Sequence, residues 1–293
     1  MTRHLLDVDD LTAAELTTVL DLAVDPAPPR VLQRRGVACL FEKPSARTRN
    51  ATEMAIVSLG GHPVTMRGDE VGIDVRESAE DIARTLACYH AAICARVFDH
   101  TILERMAAVS GVPVVNLLSD KAHPCQAIAD LLTLRGEFGH LDGLTVAYVG
   151  DWNNVARSLG LALGLVGATI RFGCPPGFGP DEADLDHLAA AAPTVHDRPD
   201  EAVKSADAVY TDVWTSMGQE AEAEARRRAF QGWTVTPSVM AAAAPEAVFL
   251  HCLPAHRGEE VTAAVLEGPA SRVWPQASNR LAAARGVLSW LVG

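Results

Sequence analysis

The sequence has few of the features that mark nucleic-acid-binding, secreted or membrane proteins. Its 25 lysines and arginines are outnumbered by 37 aspartates and glutamates, and the net charge of −12 argues against nucleic acid or an anionic membrane as a partner. The longest apolar run, residues 159–170, contains three glycines and is too short to span a bilayer. The first residues lack the pattern of a signal peptide. We therefore expect a cytoplasmic protein that binds neither nucleic acid nor a membrane.

Metal-binding and dinucleotide-binding patterns are also missing. The six cysteines show no C-x-x-C pair and no zinc-type spacing with histidine. Several of them lie in apolar strand-like runs, where a buried reduced thiol is the ordinary interpretation. A dinucleotide site needs G-x-G-x-x-G and an acidic residue about 20 positions later. The turn at 150–154 keeps one glycine, and the strand that follows ends at 172–174 without a carboxylate. A dehydrogenase is therefore a poor second interpretation, and we expect no metal and no cofactor.

What the sequence does contain is an alternation of strands and helices. Apolar residues make up 48% of the 293 positions and aromatic residues only 5%, a composition typical of an Ala/Leu/Val-rich α/β protein. The alternation favours parallel sheets covered on both faces. Because the chain is too long for a single hydrophobic core, we predict two doubly wound α/β domains. Their predicted bounds are 1–134 and 135–276, joined by a linker at 135–143, with a closing helix in 277–293 that returns to the first domain.

The chain is organised around residues 42–49, Glu-Lys-Pro-Ser-Ala-Arg-Thr-Arg. This stretch follows a short apolar strand at 37–41 and precedes an amphipathic helical pattern. Ser45 stands at the N-cap position, where its oxygen can accept a hydrogen bond from the first helix amides. These free amides, two hydroxyls and two guanidiniums suit a phosphate; the side chains are those of Ser45, Thr48, Arg47 and Arg49. We therefore predict phosphate binding, with an ordinary capped helix and solvated arginines as the alternative.

Further polar residues follow later strands of the first predicted domain. Arg96 ends a buried strand at 91–95, and His123 begins the sequence His-Pro-Cys-Gln at 123–126, which leads into a helix. Ligands of parallel sheets bind beyond the carboxyl ends of the strands, so Ser45, Arg96 and His123 are expected at one edge of the sheet. A lone histidine is more often structural, but in this sequence context we favour a functional role for His123.

Six segments resemble the carbamoyltransferase family in their order and spacing. They are SARTR (45–49), HPCQ (123–126), DWNN (151–154), DVWTSMGQE (212–220), FLHCLPAHRGEE (249–260) and NRL (279–281). The form HPCQ is shared with the aspartate branch of the family, whereas D-x-x-x-SMG together with HCLPAHRG points to the ornithine branch. The resemblance runs nearly end to end.

The resemblance implies transfer of the carbamoyl group of carbamoyl phosphate to the δ-amine of L-ornithine, giving L-citrulline and phosphate. This is a step of arginine biosynthesis or of a urea cycle, and it needs no cofactor and no covalent intermediate. The resemblance further implies a homotrimer or a multiple of trimers, with the active site in the cleft between the two domains. The alternatives are a carbamoyltransferase for putrescine or N-acetylornithine, and a non-catalytic paralogue that binds the same ligands.

The resemblance also implies roles for individual residues. Carbamoyl phosphate is expected to be held by Ser45, Ala46, Arg47, Thr48, Arg96, His123, Gln126, Cys252, Leu253 and Arg280. Of these, the residues expected to take part in catalysis are Arg47, Thr48, Arg96, His123, Gln126 and Cys252. Ornithine is expected to be held by Asn154, Asp212, Ser216 and Met217. Thr48, Arg96 and His123 then point donors at the carbonyl oxygen as an oxyanion hole, and Gln126 binds the carbamoyl NH2 with the carbonyls of Cys252 and Leu253.

The chain departs from the family pattern at three positions. Ala46 replaces the more usual threonine, which matters little if its backbone amide is the ligand. Gly72 stands where many relatives place a glutamine that contacts phosphate, and Arg67 or Arg76 is the expected substitute. Ala282 replaces the histidine of the family's Asn-Arg-Leu-His. The chemical role of Cys252 stays open, and His251 and His256 are expected to be structural.

Overall fold

Parallel strands alternate with helices through the whole chain, as the sequence predicts. The structure is a computed structural model, and it describes residues 2–215 and 220–293. The chain divides into two compact units, Met1–Leu132 with Ser278–Gly293, and Thr133–Ala277. Each unit contains a parallel sheet of its own, which confirms the predicted fold class of two parallel-sheet α/β domains.

The sheet of the first unit has four parallel strands among the described residues. They are β1 (Gly36–Phe41), β2 (His62–Arg67), β3 (His90–Arg96) and β4 (Val114–Leu118), in the spatial order β2-β1-β3-β4. The central strands β1 and β3 are buried along almost their whole length, because helices cover both faces of such a sheet. The α-helices of the first unit before Pro124 are α1 (Ala13–Val24), α2 (Ala46–Ser58), α3 (Gly68–Val71), α4 (Ala79–Ala87) and α5 (His100–Val109).

Helix α6 (Pro124–Phe138) contains the first boundary between the units. The described strands of the second unit are β5 (Thr145–Val149), β6 (Thr169–Gly173), β7 (Thr194–His196), β8 (Ala208–Thr211) and β9 (Val248–His251). They are all parallel, in the spatial order β7-β6-β5-β8-β9. The helices that follow α6 are α7 (Asn154–Leu165), α8 (Glu182–His187), α9 (Pro199–Ala202), α10 (Ala223–Ala229), α11 (Pro237–Met240) and α12 (Ala263–Leu266). The last helix, α13 (Val273–Val292), contains the second boundary.

Helix starts follow the capping signals in the sequence. Thr12 and Glu15 form a capping box at α1, in which the Glu15 amide donates to Thr12 Oγ1 at 3.2 Å and the Thr12 amide donates to Glu15 Oε2 at 3.0 Å. Ser78 caps α4 by accepting a hydrogen bond from the Asp81 amide at 3.1 Å. These bonds satisfy backbone donors that have no partner inside the helix.

Two boundaries and one strand differ from the sequence predictions. Helix α6 continues to Phe138, so the linker predicted to begin at Arg135 starts too early; Gly139, with φ of +77°, follows the helix end and permits the left-handed turn there. Strand β7 was not predicted, because three residues with exposed or half-buried side chains carry no periodic signal. Helix α13 begins four residues before the predicted start at Ala277.

The core of the second unit is built on large aromatic side chains of its central strands. Tyr148 and Tyr210 are fully buried and stack with their ring centroids 5.7 Å apart, and the ring of Phe172 meets that of Tyr148 edge to face at 6.4 Å. No disulfide joins the cysteines, all six of which belong to the described residues. No helix within 2–215 and 220–293 is long and apolar enough to cross a membrane.

Candidate functional site

The turn between β1 and α2 presents two hydroxyls at the carboxyl end of the sheet. Ser45 caps α2, and its Oγ accepts a hydrogen bond from the Thr48 amide at 3.2 Å. The Oγ of Ser45 also lies 3.0 Å from Thr48 Oγ1. Thr48 itself is buried, with 3% of its surface exposed. The predicted N-cap is therefore confirmed, and it carries a threonine hydroxyl into the interior of the first unit.

Two buried arginines converge on this hydroxyl. Arg96, the last residue of β3, donates from Nη1 to Thr48 Oγ1 at 3.3 Å. Arg280, on α13, donates from Nη2 to the same oxygen at 2.7 Å. Both arginines are at least nine-tenths buried. The structure thus brings together residues separated by as many as 232 positions in the sequence, and their planar guanidiniums suit a phosphate or a carbonyl oxygen.

His123 lies in the field of the same two arginines. It is buried at the start of α6, and its pKa is well below the usual 6.5 because burial disfavours the charged ring. The positive charges of Arg280 and Arg96 lower the pKa further. His123 is therefore neutral at pH 7, and a neutral imidazole donates one hydrogen bond without adding a charge.

Gln126 offers an acceptor in the first turn of α6. Its side chain is almost fully buried, and Nε2 donates to Asp130 Oδ1 at 2.8 Å. This bond fixes the orientation of the amide, so the oxygen is the atom turned the other way. Among residues 2–215 and 220–293, Oε1 has no hydrogen-bond partner. A buried acceptor without a partner is costly in a folded protein, which makes Oε1 a candidate ligand for an N–H donor.

The remaining residues of Ser45–Arg49 differ in their surroundings. Ala46 and Arg47 occupy the first two positions of α2 and are exposed. Arg49, which was expected to contribute to the anion site, is half-exposed. Its Nε donates to Glu53 Oε1 at 2.8 Å, one helical turn further on, because residues four apart meet on a helix surface.

In the second unit, three polar side chains form a chain of hydrogen bonds. Asn153 caps α7, with Oδ1 accepting from the amides of Val155 at 2.9 Å and Ala156 at 3.0 Å. Its Nδ2 donates to Asp212 Oδ2 at 3.2 Å. The Cys252 thiol donates to Asp212 Oδ1 at 2.9 Å. Asp212 is thus held from both sides, and it lies just beyond the end of β8 with 6% of its surface exposed.

The structure describes only some of the residues that were predicted to bind ornithine. Asn154 is the first residue of α7 and is half-buried. Ser216 and Met217 lie outside the described residues. Asn153 was not among the predicted ligands, although an asparagine directly before a helical segment is a recognisable cap signal.

A buried ion pair ties the loops after β5 and β8 together. Arg226, on α10, donates from Nη1 to Asp151 Oδ2 at 2.8 Å and to the carbonyl oxygen of Trp214 at 3.1 Å. Its guanidinium also lies 5.3 Å from the centre of the Phe178 ring. Burial raises the pKa of Asp151 to about 6, an effect that the Arg226 charge opposes. This pair fixes the two segments that carry Asn153 and Asp212.

The loop after β9 is fixed by His251 and Glu260, both buried. The Leu253 amide donates to His251 Nδ1 at 2.8 Å, so the ring proton lies on Nε2, which faces Glu260 Oε1 at 3.2 Å. The His256 amide donates to the same carboxylate oxygen at 2.5 Å. Leu253 adopts a φ of +61°, which is rare for a bulky residue. The side chain of His251 and the backbone of His256 thus hold the loop that presents Cys252.

Two groups of side chains have donor atoms close enough to meet at a metal ion. Within each group the atoms lie within 4.8 Å of one another; the groups are Asp212 with His251 and Cys252, and His256 with Glu259 and Glu260. In the first group both ring nitrogens of His251 already take part in hydrogen bonds. In the second, Glu259 is paired with Arg227 at 3.1 Å.

The two arginines of the loop around Gly72 interact with other residues of the same loop. Gly72 follows α3 with φ of +65°. Arg76 Nη1 donates to the Glu70 carbonyl oxygen at 3.0 Å, and Arg67 is ion-paired with Asp69. Both candidate substitutes for the missing glutamine are therefore engaged within their own loop.

The lowered pKa of His123 predicts how the stability depends on pH. Below pH 6.5 the unfolded chain binds protons that the folded histidine excludes, so the free energy of unfolding falls as the pH falls. His4, His90 and His100 act in the same direction. We expect His123→Asn to reduce the slope of unfolding free energy against pH by up to about 1.4 kcal/mol per pH unit. Urea denaturation of both proteins between pH 5 and 7.5 measures this difference, and parallel curves would contradict a neutral His123.

The chain is similar to known proteins over nearly its whole length. The family profile described as "Aspartate/ornithine carbamoyltransferase, carbamoyl-P binding domain" matches residues 3–136, and the one described as "Aspartate/ornithine carbamoyltransferase, Asp/Orn binding domain" matches residues 142–291. An ornithine carbamoyltransferase of Acidothermus cellulolyticus is 49% identical, over 100% of this chain and 97% of that protein. An anabolic ornithine carbamoyltransferase of Pyrococcus furiosus is 44% identical, over 99% of this chain and 96% of that protein. The crystal structure of ornithine carbamoyltransferase from Thermus thermophilus superposes with a TM-score of 0.92 at 45% identity, covering 100% of both chains.

Proposed function

The chain belongs to the aspartate/ornithine carbamoyltransferase family, and from this premise we propose that it transfers the carbamoyl group of carbamoyl phosphate to the δ-amine of L-ornithine. The products are L-citrulline and phosphate. The main observation behind the proposal is that Arg96 and Arg280 both donate hydrogen bonds to Thr48. The positive charges of these two arginines also help to keep His123 neutral. The anabolic designation of the Pyrococcus furiosus relative favours a role in arginine biosynthesis.

The phosphate of the donor is assigned to the N-terminus of α2. The amides of the first turn and the partial positive charge of the helix end favour an anion there. The assigned ligands are the hydroxyls of Ser45 and Thr48, the amide of Ala46 and the guanidiniums of Arg47, Arg96 and Arg280. Arg47 is exposed at this turn. The net charge of −12 makes such a local basic cluster necessary for an anionic substrate.

The carbonyl oxygen of the carbamoyl group is assigned to Thr48, Arg96 and His123. Negative charge develops on this oxygen when the amine adds to the carbonyl carbon, and preorganised donors stabilise that charge. Burial strengthens the interaction because water does not screen it. The carbamoyl NH2 is assigned to Oε1 of Gln126, whose partnerless acceptor it satisfies, and to the backbone carbonyls of Cys252 and Leu253. The bond from carbon to the phosphate oxygen then breaks, and the excess proton of the amine is released.

The amino-acid end of ornithine is assigned to the second unit. The Asp212 carboxylate pairs with the α-ammonium group, and Asn154, Ser216 and Met217 complete the ligand set that the family pattern implies. Asn153 and Cys252 orient Asp212 through the hydrogen bonds described above. A direct chemical role for Cys252 is not required by this scheme.

The proposal also includes the roles of the two domains, the assembly of the protein and its localisation. Residues 1–134 form the donor-binding domain and 135–276 the acceptor-binding domain, with 277–293 contributing Arg280 to the former. The protein is a cytoplasmic homotrimer or a multiple of trimers, as in the family pattern. Light scattering of the purified protein tests the assembly, since a monomer or dimer would contradict it.

The attacking amine must be unprotonated, which predicts a rising pH profile. A lysine-like amine has a pKa of about 10.4, so only about one molecule in a thousand is neutral near pH 7.4. We expect kcat/KM for ornithine to rise by at least about tenfold between about pH 6.5 and 8.5. Initial rates at saturating carbamoyl phosphate measure it, with the donor affinity determined at each pH as the control. A flat profile would contradict attack by the neutral amine.

Turnover separates the enzyme from a non-catalytic paralogue. Citrulline and phosphate should appear in equal amounts over many turnovers per chain when both substrates are supplied. Reactions lacking protein control for the spontaneous decay of carbamoyl phosphate. Binding of carbamoyl phosphate without citrulline formation would establish the paralogue instead.

A further inference from the structure

The turn that leads from β4 into α6 is closed by hydrogen bonds to a single serine. The Ser119 amide donates to the Ala122 carbonyl oxygen at 2.9 Å, and the Ala122 amide donates to Ser119 Oγ at 3.2 Å. Ser119 is fully buried. Ala122 is the residue directly before His123, so this closure defines where the peptide of His123 begins.

The side chain of Asn116, on β4, also forms hydrogen bonds with this turn. Its Nδ2 lies 2.7 Å from the Leu6 carbonyl oxygen, 3.1 Å from Ser119 Oγ and 3.3 Å from the Ala122 carbonyl oxygen. The side chain is fully buried, and its two amide hydrogens are shared among three acceptors. A buried carbonyl that loses its donor is costly, so Asn116 fixes the Ala122 carbonyl within a narrow range.

His100, the first residue of α5, completes the network from the other side. Its Nδ1 lies 2.7 Å from Ser119 Oγ. Ser119 Oγ accepts hydrogen bonds from the Ala122 amide and from Asn116 Nδ2. Its own proton is therefore directed to His100 Nδ1, which is nearer to it than the Ala122 carbonyl oxygen. The ring proton of His100 then lies on Nε2, which faces Glu104 at 3.8 Å.

The other side of His123 is held by α6. The His123 carbonyl oxygen accepts hydrogen bonds from the amides of Gln126 at 3.0 Å and Ala127 at 3.2 Å. The backbone of His123 is therefore fixed after the residue by the helix and before it by the Ser119 turn. The helix bonds form in any sequence of this kind, whereas the turn depends on three specific side chains.

Building on the proposed function, we propose that Asn116, Ser119 and His100 form a positioning network that sets the place of His123 for catalysis. None of the three is among the assigned substrate ligands. They act by holding the Ala122–His123 peptide, which determines where the imidazole can donate its hydrogen bond. Displacing a reacting or donating group by 1 Å lowers rates by on the order of a hundredfold, so loss of the network should appear in kcat more than in substrate affinity.

A pair of substitutions at His100 tests the proposal. His100→Asn places an amide oxygen near the position of Nδ1 and keeps the acceptor for Ser119, whereas His100→Ala removes it. We expect His100→Ala to lower kcat by at least about tenfold, and His100→Asn to keep kcat within about threefold of the parent protein. The KM for carbamoyl phosphate should change by less than about threefold in both, because its phosphate ligands are untouched.

His90→Ala is the matched control. His90 is a half-buried histidine at the amino-terminal end of β3, the end opposite to Arg96, so its loss tests for general destabilisation. Its kcat should stay near that of the parent protein. Equal kcat for His100→Ala and His90→Ala, or an equal loss in His100→Ala and His100→Asn, would overturn the positioning role. A parent protein that forms no citrulline would overturn the proposed function instead.

A second variant keeps the proposal testable if His100→Ala does not fold. Ser119→Ala removes the hydroxyl that joins His100, Asn116 and Ala122 while leaving the backbone bond from the Ser119 amide. We expect it to lower kcat by about as much as His100→Ala, and the double variant to lose little more than either one, since both remove the same link. Additive losses would show two independent effects and contradict a single network.

Discussion

Replacing Arg96 with alanine is expected to lower kcat/KM for ornithine by about a hundred- to a thousandfold in a protein that still folds. Arg96 donates to Thr48 from the end of β3, and we assign its guanidinium to the developing oxyanion. Removing one preorganised donor of this kind typically costs about 2.7–4 kcal/mol of transition-state stabilisation. Steady-state kinetics with both substrates varied measures the loss, and the thermal unfolding midpoint shows that the variant is folded.

Arg49→Ala is the matched control for Arg96→Ala. Arg49 also belongs to the first unit, but it is half-exposed and pairs with Glu53 at 2.8 Å. Exposed pairs of this kind contribute little stability, and Arg49 is not among the assigned substrate ligands, so its kcat/KM should stay near that of the parent protein. Near-normal turnover of a folded Arg96→Ala protein would remove Arg96 from the site, and an equal loss in Arg49→Ala would point to the overall charge instead.

The second large effect is expected for Asp212→Asn, which should lower kcat/KM for ornithine by at least about a hundredfold. The carboxylate is held by Asn153 and by the Cys252 thiol. Asparagine keeps the shape but removes the charge that pairs with the α-ammonium group of ornithine, and its amide would face a donor where the carboxylate now accepts. When a binding site is built for a polar group of the substrate, the reaction slows strongly if a buried polar group of the site or of the substrate is left without a partner.

Two measurements separate loss of the acceptor site from general damage. Carbamoyl phosphate should still bind to Asp212→Asn, because its assigned phosphate ligands lie in the first unit. Asp200→Asn is the matched control, since Asp200 is half-exposed and pairs only with Arg198 among the described side chains. If Asp212→Asn retains its preference for ornithine, the assignment of Asp212 fails while the carbamoyl-transfer chemistry stands.

Local features of the donor site could be predicted from the sequence. The N-cap at Ser45 follows from a proline-terminated strand and a hydroxyl before a helical pattern. The position of Arg96 at a strand end follows from the apolar run before it. The ion pair of Arg49 also follows from local rules, because Glu53 stands four residues later, at the spacing of a helix-surface ion pair.

Long-range contacts could not be predicted in this way. Arg280 reaches Thr48 across 232 positions, and no periodic pattern places a residue of the last helix beside the turn after the first strand. Only the resemblance to the family predicted it. The hydrogen bonds of Cys252 and Asn153 to Asp212 likewise join three loops that are distant in the sequence.

Supporting residues were missed for a different reason. Asn116 and Ser119 appear in the sequence as ordinary strand and turn residues, and His100 as the first residue of an amphipathic helix. Their importance depends on which hydrogen-bond partner each buried polar atom has, and only the folded structure shows this. Sequence patterns report which residues are apolar or capping, but not which carbonyl a buried amide satisfies.

The most direct test of carbamoyl transfer to ornithine is the rate of product formation with four acceptors at saturating carbamoyl phosphate. Ornithine should exceed putrescine, N-acetylornithine and aspartate by at least about a hundredfold in kcat/KM. Putrescine lacks the carboxylate, N-acetylornithine lacks the α-ammonium group, and aspartate brings a second carboxylate towards Asp212. Equal rates with putrescine and ornithine, or the absence of citrulline with ornithine, would contradict the account.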